Sequence, residues 1–257
     1  MFDHVTIRVA DRDASRRFYE TVLAPLGHAI SHSGGHFDEW NDFGVAQARE
    51  DRPVTRGLHV AFVARSRAEV DAFWRAGTDA GYASDGESGL RPEYQGDYYG
   101  AFLIDSDGNS AEAVYHGRAR DGDNVIDHLW IRVADLDASK RFYETITPIL
   151  GLRIANEQAE RFHIAARDRS FTLVRGVPSE NVHMAFPVPD DATVGEFHRV
   201  ALAAGYRNNG PPGERRYHPG YYGAFVLDPD GNNVEAVYHG PAKRSAPSVV
   251  IEAGPES

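Results

Sequence analysis

The chain of 257 residues contains no cysteine. Disulfides and thiolate ligands are therefore excluded, and any metal must be held by nitrogen and oxygen. No apolar run approaches the length of a membrane span, and the N-terminus lacks a basic segment followed by an apolar one. The expectation from these absences is a cytoplasmic protein. Basic residues are the minority. Lys and Arg number 27 against 38 Asp and Glu, for a formal net charge of −11. That balance argues against a nucleic-acid backbone or an anionic membrane as partner.

What the chain does contain, it contains twice. Residues 2–21, FDHVTIRVADRDASRRFYET, return as residues 126–145, IDHLWIRVADLDASKRFYET. Residues 98–117, YYGAFLIDSDGNSAEAVYHG, return as residues 221–240, YYGAFVLDPDGNNVEAVYHG. Leu58-His59-Val60-Ala61-Phe62 returns as Val182-His183-Met184-Ala185-Phe186. A period this long is domain duplication rather than a solenoid repeat. The expected organisation is one domain over 1–120, a second over 124–241, and a flexible tail over 242–257. The joint lies in the polar, glycine-containing stretch Gly117–Asn124.

Each half reads as strand, helix and three strands, given twice. Val5, Ile7 and Val9 alternate with His4, Thr6 and Arg8, the period of a strand with two unlike faces. Capping groups at Asp11 to Asp13 precede a helix starting near Ala14, and Gly27 follows it. Weaker strands are expected at about 29–33, 36–41 and 43–49. A strand over 58–64 and a helix over 68–79 come next. Asp105–Asn109 and Asp228–Asn232 mark tight turns before the last strand of each half. The fold class is α+β, with two βαβββ modules per domain. Helices cover one sheet face, and the other meets a sheet or encloses a cavity.

Alternation also sorts the polar groups. Leu129, Ile131 and Val133 lie under the helix, so His128, Trp130 and Arg132 face the other way. His183 shares that opposite side, as does Glu235. A pseudo-twofold relating the two modules of a half brings together His128, His183 and Glu235, and likewise His4, His59 and Glu112. Two imidazoles and a carboxylate make a facial triad for a divalent ion, with positions left for water or substrate. A lone histidine at a strand start is more often a surface residue than a ligand; three matched positions carry the reading.

The combination resembles the vicinal oxygen chelate superfamily, the glyoxalase/bleomycin-resistance/extradiol-dioxygenase group. The resemblance rests on Asp-His at 3–4 and 127–128, Arg-Phe-Tyr at 17–19 and 141–143, and His-x-Ala-Phe at 59–62 and 183–186. The closing Asp-x-Asp-Gly-Asn-x-x-Glu at 105–112 and 228–235 completes it. It covers nearly the whole chain. It implies two tandem glyoxalase-like domains whose paired modules form U-shaped half-barrels around a metal. It implies metal ligands at His4, His59 and Glu112 and at His128, His183 and Glu235. Glyoxalase I members add a fourth ligand on the fourth strand, where Phe171–Arg175 offers no carboxylate and Gln47 is the close candidate in the first half. Extradiol dioxygenases place a His before, and a Tyr within, the strand leading to the Glu. His218 stands near the first position and Phe225 at the second; the first half has Gln95 and Phe102 there.

The function expected is a metal-dependent enzyme, of lyase, isomerase or dioxygenase type, acting on a small substrate with adjacent oxygens. The alternative is a metal-free binding or drug-sequestering protein of the same group. The cofactor is a divalent ion, with Fe, Mn, Zn, Ni and Co all compatible with imidazole and carboxylate. His218 is the candidate acid or base, against an exposed loop histidine. Arg132, Trp130 and Tyr222 are the candidate substrate contacts, against a structural ion pair for Arg132 and packing for the aromatics. His116 and His239, four residues beyond each Glu, are expected to be structural. The partner is a small molecule, and a monomer or homodimer is expected. If only one half is active, the second, with His218 and Trp130, is favoured.

Overall fold

The computed structural model describes residues 1–241 except 95, 121 and 167–168, plus the backbone of 243–244 and 251–252. The expected flexible tail, 242–257, otherwise lies outside the described residues. The first half comprises β1 His4–Val9, α1 Arg12–Leu23, β2 His32–Ser33, β3 Phe37–Trp40 and β4 Phe43–Gln47. It continues with β5 His59–Val63, α2 Arg67–Asp79, β6 Ser84–Leu90, β7 Tyr99–Ile104 and β8 Ser110–Tyr115. The second half comprises β9 Ile126–Val133, α3 Leu136–Ile146, β10 Arg153–Gln158, β11 Arg161–Ala166 and β12 Arg169–Arg175. It ends with β13 His183–Pro187, α4 Asp191–Ala203, β14 Arg207–Glu214, β15 Tyr222–Leu227 and β16 Asn233–Tyr238. Each helix starts where a side chain relieves the unpaired N–H groups of its first turn. Asp11, Ser66, Asp135 and Asp190 accept from the backbone N of Ala14, Glu69, Ala138 and Thr193.

The α+β architecture and its four βαβββ modules are as the repeat implies. The pairing between modules is not. One eight-stranded sheet runs β14-β15-β16-β13-β1-β4-β3-β2, and the other runs β10-β11-β12-β9-β5-β8-β7-β6. Each sheet therefore takes one module from each half of the sequence. The joints are antiparallel: β1 on β13, with Val5 opposite Met184, and β5 on β9, with Val60 opposite Leu129.

The helix-side faces of both sheets share one continuous apolar core. Phe2, just before β1, meets Phe171 of β12 and Phe186 of β13, at ring-centroid distances of 5.8 and 5.5 Å. Phe43 of one sheet meets Phe62 of the other at 5.0 Å. Strand β1 alternates between partly exposed and fully buried residues, as its sequence pattern requires. Strands β6 (SDGESGL) and β14 (RNNGPPGE) escape sequence reading, because glycine, proline and charge disfavour strands. Both are sheet edges with register shifts, the places where such composition is tolerated and guards against further pairing.

The Asp-x-Asp-Gly-Asn turns position the site. Asp105 Oδ1 accepts from the backbone N of Asp107 and Asn109, and Asn109 Oδ1 in turn accepts from Leu58 N at 3.1 Å. Asp228 and Asn232 repeat this, with Asn232 Oδ1 accepting from Val182 N at 3.0 Å. Each turn thus pins the residue immediately before a site histidine, His59 or His183.

Candidate metal centres

The strand joints put three donors on one face of each sheet. In the first sheet His4 lies opposite Ala185, and Ala185 lies beside Glu235 of the parallel β16; Thr6 lies opposite His183. His183 Nε2 stands 2.9 Å from Glu235 Oε2, and His4 Nε2 stands 3.7 Å from the same oxygen. In the second sheet His59 Nε2 lies 2.8 Å and His128 Nε2 3.6 Å from Glu112 Oε2. Within each group the potential ligand atoms all lie within 4.8 Å of one another.

The groups are therefore His4, His183 and Glu235, and His59, His128 and Glu112. This corrects the grouping expected from the repeat, which placed His128 with His183 and His4 with His59. The first modules of the two halves carry equivalent motifs, as do the second modules, and the pairing of β1 with β13 and of β5 with β9 decides which modules meet.

Outer partners fix how the donors point. His4 Nδ1 donates to Asp3 Oδ1 at 3.0 Å, and His128 Nδ1 donates to Asp127 Oδ1 at 2.8 Å, leaving each Nε2 to face the Glu. Asp3 also accepts from His239 Nε2 at 2.8 Å and Asp127 from His116 Nε2 at 3.1 Å, and Arg120 forms an ion pair with Asp127 at 2.6 Å. The second oxygen of each Glu is engaged as well. Tyr221 donates to Glu235 Oε1 at 2.7 Å and Tyr98 to Glu112 Oε1 at 2.5 Å.

The repeated Tyr-Tyr-Gly thereby acquires a reason. Its first Tyr holds the carboxylate. Its Gly leaves room for it: a Cβ at Gly100 or Gly223 would lie 2.6 or 2.7 Å from the same Glu oxygen. The sequence carries these residues plainly, but only a known strand register reveals what Asp3, Asp127, Tyr98 and Tyr221 do. His116 and His239, expected to be structural, are the outer partners of those aspartates.

The electrostatics follow from this wiring. Burial opposes ionisation of Asp3, but hydrogen bonds from His239 and His4 outweigh it and hold the carboxyl well below its usual range. Asp127 is lowered in the same way, by His116 and His128 against burial. Burial likewise opposes charge on His4, yet Asp3 and Glu235 raise its pKa to about 9. His128 is raised too, by Asp127 and Glu112 against burial. His183 goes down, because burial outweighs its bond to Glu235, which favours the neutral imidazole.

Two expectations follow for the His4 centre. A metal there displaces the proton of His4, so its affinity rises about tenfold per pH unit until pH approaches 9. In chelated protein the sign reverses. The folded state raises the His4 pKa from 6.5, so the stability this group contributes is full below 6.5 and is lost as pH rises through about 9. Asp3→Asn should weaken metal binding at this centre about 10- to 100-fold and shift the pH profile of affinity to lower pH. Metal titrations of both proteins between pH 6 and 9 check it; a profile unchanged by the substitution would show that Asp3 does not hold His4.

The remaining candidates divide between the two centres. Trp130 and Arg132 share the face of His128 and line a cavity of about 630 Å³ that also contains His59 and Glu112. Arg132 donates to the carbonyl of Gly57 at 3.0 Å rather than to a carboxylate. His218 belongs to the other centre. Its Nε2 lies 2.8 Å from His239 Nδ1, which links it to His4 through His239 and Asp3, from behind the donors. The expectation that His218 and Trp130 serve one site is thus corrected: strands of one sequence half are shared between two sheets.

Tyr222 is likewise corrected. It points to the helix side and packs on the core, while its neighbour Tyr221 reaches Glu235. Gln47 is spent on backbone groups at the start of α1, accepting from Arg12 N and donating to Ala10 O. Phe102 and Phe225 sit beside His59 and His183, with centroid distances of 5.9 and 6.1 Å, under the guanidinium groups of Arg91 and Arg215. Gln95 lies outside the described residues.

Two imidazole nitrogens and one carboxylate oxygen, outer hydrogen bonds that fix the tautomer, and an open side toward a cavity fit a divalent ion. A family model described as the Glyoxalase/Bleomycin resistance protein/Dioxygenase superfamily matches residues 125–236. Among curated proteins, none matches the chain. Glyoxalase I from Zea mays has a similar solved structure, with a TM-score of 0.65 at 19% identity over 93% of this chain and 92% of that one. Its V278E mutant gives a TM-score of 0.67 at 20% identity, over the same shares of the two chains. A dioxygenase candidate from Bacillus subtilis gives 0.63 at 14% identity over 93% of this chain and 85% of that one. At such identities these likenesses show the fold. Residues 125–236 thus belong to the glyoxalase/bleomycin resistance protein/dioxygenase superfamily, and the first half repeats their motifs.

Proposed function

We propose that the protein is a divalent-metal-dependent enzyme acting on a small molecule with two adjacent oxygens. The observation that carries this is the pair of His, His, Glu groups, each with a buried aspartate behind one histidine. The ligands proposed are His4, His183 and Glu235 at one centre and His59, His128 and Glu112 at the other. A bound ion supplies Lewis-acid stabilisation of negative charge on the substrate oxygens.

The chain's own residues do the rest. Asp127 keeps His128 in the tautomer that presents Nε2, and Tyr98 holds one oxygen of Glu112 so that the other faces the histidines. Trp130 and Tyr94, with ring centroids 6.1 Å apart, form an aromatic wall of the cavity against which a bound ring can pack. The donor set accepts Fe, Mn, Zn, Ni or Co. Both centres are complete within one chain, which supports a monomer. Among the described residues no helix is long and apolar enough to cross a membrane.

The second reading, metal-free binding of a bulky ligand, draws on the same aromatic wall. Elemental analysis of protein purified with all five metals supplied separates the two. The proposal expects stoichiometric metal and a chelator-reversible thermal shift. At a thousandfold excess over Kd, linkage contributes about 4 kcal/mol, or roughly 8 to 16 °C in Tm. Protein that takes up no metal, with a Tm indifferent to chelator, would leave only the binding reading.

A further inference from the structure

The two cavities are lined differently, and the difference points to a substrate class. On β9, the residues facing the cavity run His128, Trp130, Arg132. Across the sheet Trp130 pairs with Thr172, and Arg132 pairs with Val174, which pairs with Arg161 of β11. The wall is therefore ordered in rows: the metal-binding histidine, then the indole, then two guanidinium groups. Same-face residues along a strand are about 6.6 Å apart, so the rows from His128 to Arg132 span about 13 Å.

Arg161 leans back over the indole, its guanidinium 5.5 Å from the Trp130 ring centroid, and the indole lies 6.4 Å from the His59 ring. Among the described residues neither guanidinium has a carboxylate within ion-pair distance. Arg132 donates to Gly57 O and Arg161 to Gln158 Oε1. In a chain of net charge −11 this is a segregated positive edge.

The other sheet keeps Arg8 at the position of Arg132, in a cavity shared with Arg52 and Arg215, but lacks the indole and the second guanidinium of the row. Thr6 takes the place of Trp130, and Phe37 holds the register position of Arg161, opposite Ala46. Four additional residues between β4 and Thr55, relative to the stretch from β12 to Ser179, bring Asp51, Arg52 and Pro53 into that cavity.

We infer that the cavity of His59, His128 and Glu112 takes an aromatic carboxylate. Its ring lies against Trp130, its acid meets Arg161 and Arg132, and its far edge is directed at the metal-binding residues. The cavity of the other sheet does not take this ligand. The inference rests on the cavity being the substrate site.

The test is calorimetric titration of the full chain with 2-naphthoate and with uncharged 2-naphthamide, in manganese and again in chelator. One equivalent of naphthoate per chain is expected, bound at least about tenfold more tightly than the amide in both conditions, as a charge-assisted hydrogen bond provides. Arg161→Gln should remove about tenfold from naphthoate and leave the amide within about twofold. Trp130→Ala should weaken both ligands. Equal affinity for acid and amide overturns the inference, as does a second equivalent per chain. A preference that vanishes in chelator and survives Arg161→Gln also overturns it, because the acid is then held by the metal. Metal content measured on the same samples keeps the outcomes apart: an acid preference in protein that takes up no metal contradicts the enzymatic reading and leaves this one standing.

Discussion

Expressed alone, residues 124–241 will not give a folded monomer. The stretch contains two complete modules, yet neither keeps its sheet partner. Strand β9 loses β5 and strand β13 loses β1, so both modules expose a long unpaired edge. The fragment also uncovers Phe171 and Phe186 where Phe2 packed, and Leu129 and Met184 where Val60 and Val5 lay opposite. At about 1.5–3 kcal/mol for each large apolar side chain, these few exposures approach the whole stability of a domain, about 5–15 kcal/mol. The expected products are a dimer, in which modules of two copies pair, or an aggregate. Co-expression with residues 1–120 should restore a soluble complex of one copy each. Size-exclusion chromatography with light scattering measures it; a folded monomer of the fragment would contradict the sheet order.

That result also explains which parts of the fold were legible in the sequence. Strand β1 and its two faces can be read from Val5, Ile7 and Val9 alone, because burial of one face imposes a period of two. The helix caps and tight turns are equally local. The six potential ligands are legible for the same reason: alternation assigns each to the face away from the helices. Their partners are not. His59 and His183 occupy equivalent positions, so no local rule tells His128 which of them it faces. That choice is made by β9 pairing with β5, between residues far apart in sequence. Tyr222 and Tyr221 show how narrow the margin is. One residue of register separates a side chain packed on the core from one holding the Glu235 carboxylate. His218 illustrates the opposite failure. Its chemistry was visible, but its distance from the centre depends on His239 and Asp3 standing between them.

The exchange of modules between halves is the central claim, and paired substitutions give opposite outcomes under the two groupings. Removing one imidazole leaves a donor pair that no longer surrounds an ion, so a centre that loses either histidine loses stoichiometric metal. His59→Ala with His128→Ala strikes one centre twice and spares the other. His128→Ala with His183→Ala strikes both centres once, although both residues belong to the second half of the sequence. Each change shortens a partly exposed side chain beside a cavity, so the fold should persist, and circular dichroism and thermal melts check that it does. The deciding measurement is metal content per chain, by elemental analysis, of these two double variants beside the unchanged protein. The expected counts are two ions for the unchanged chain, one for His59→Ala/His128→Ala and none for His128→Ala/His183→Ala. One ion retained by His128→Ala/His183→Ala and none by His59→Ala/His128→Ala would place each centre within a single half and contradict the architecture described.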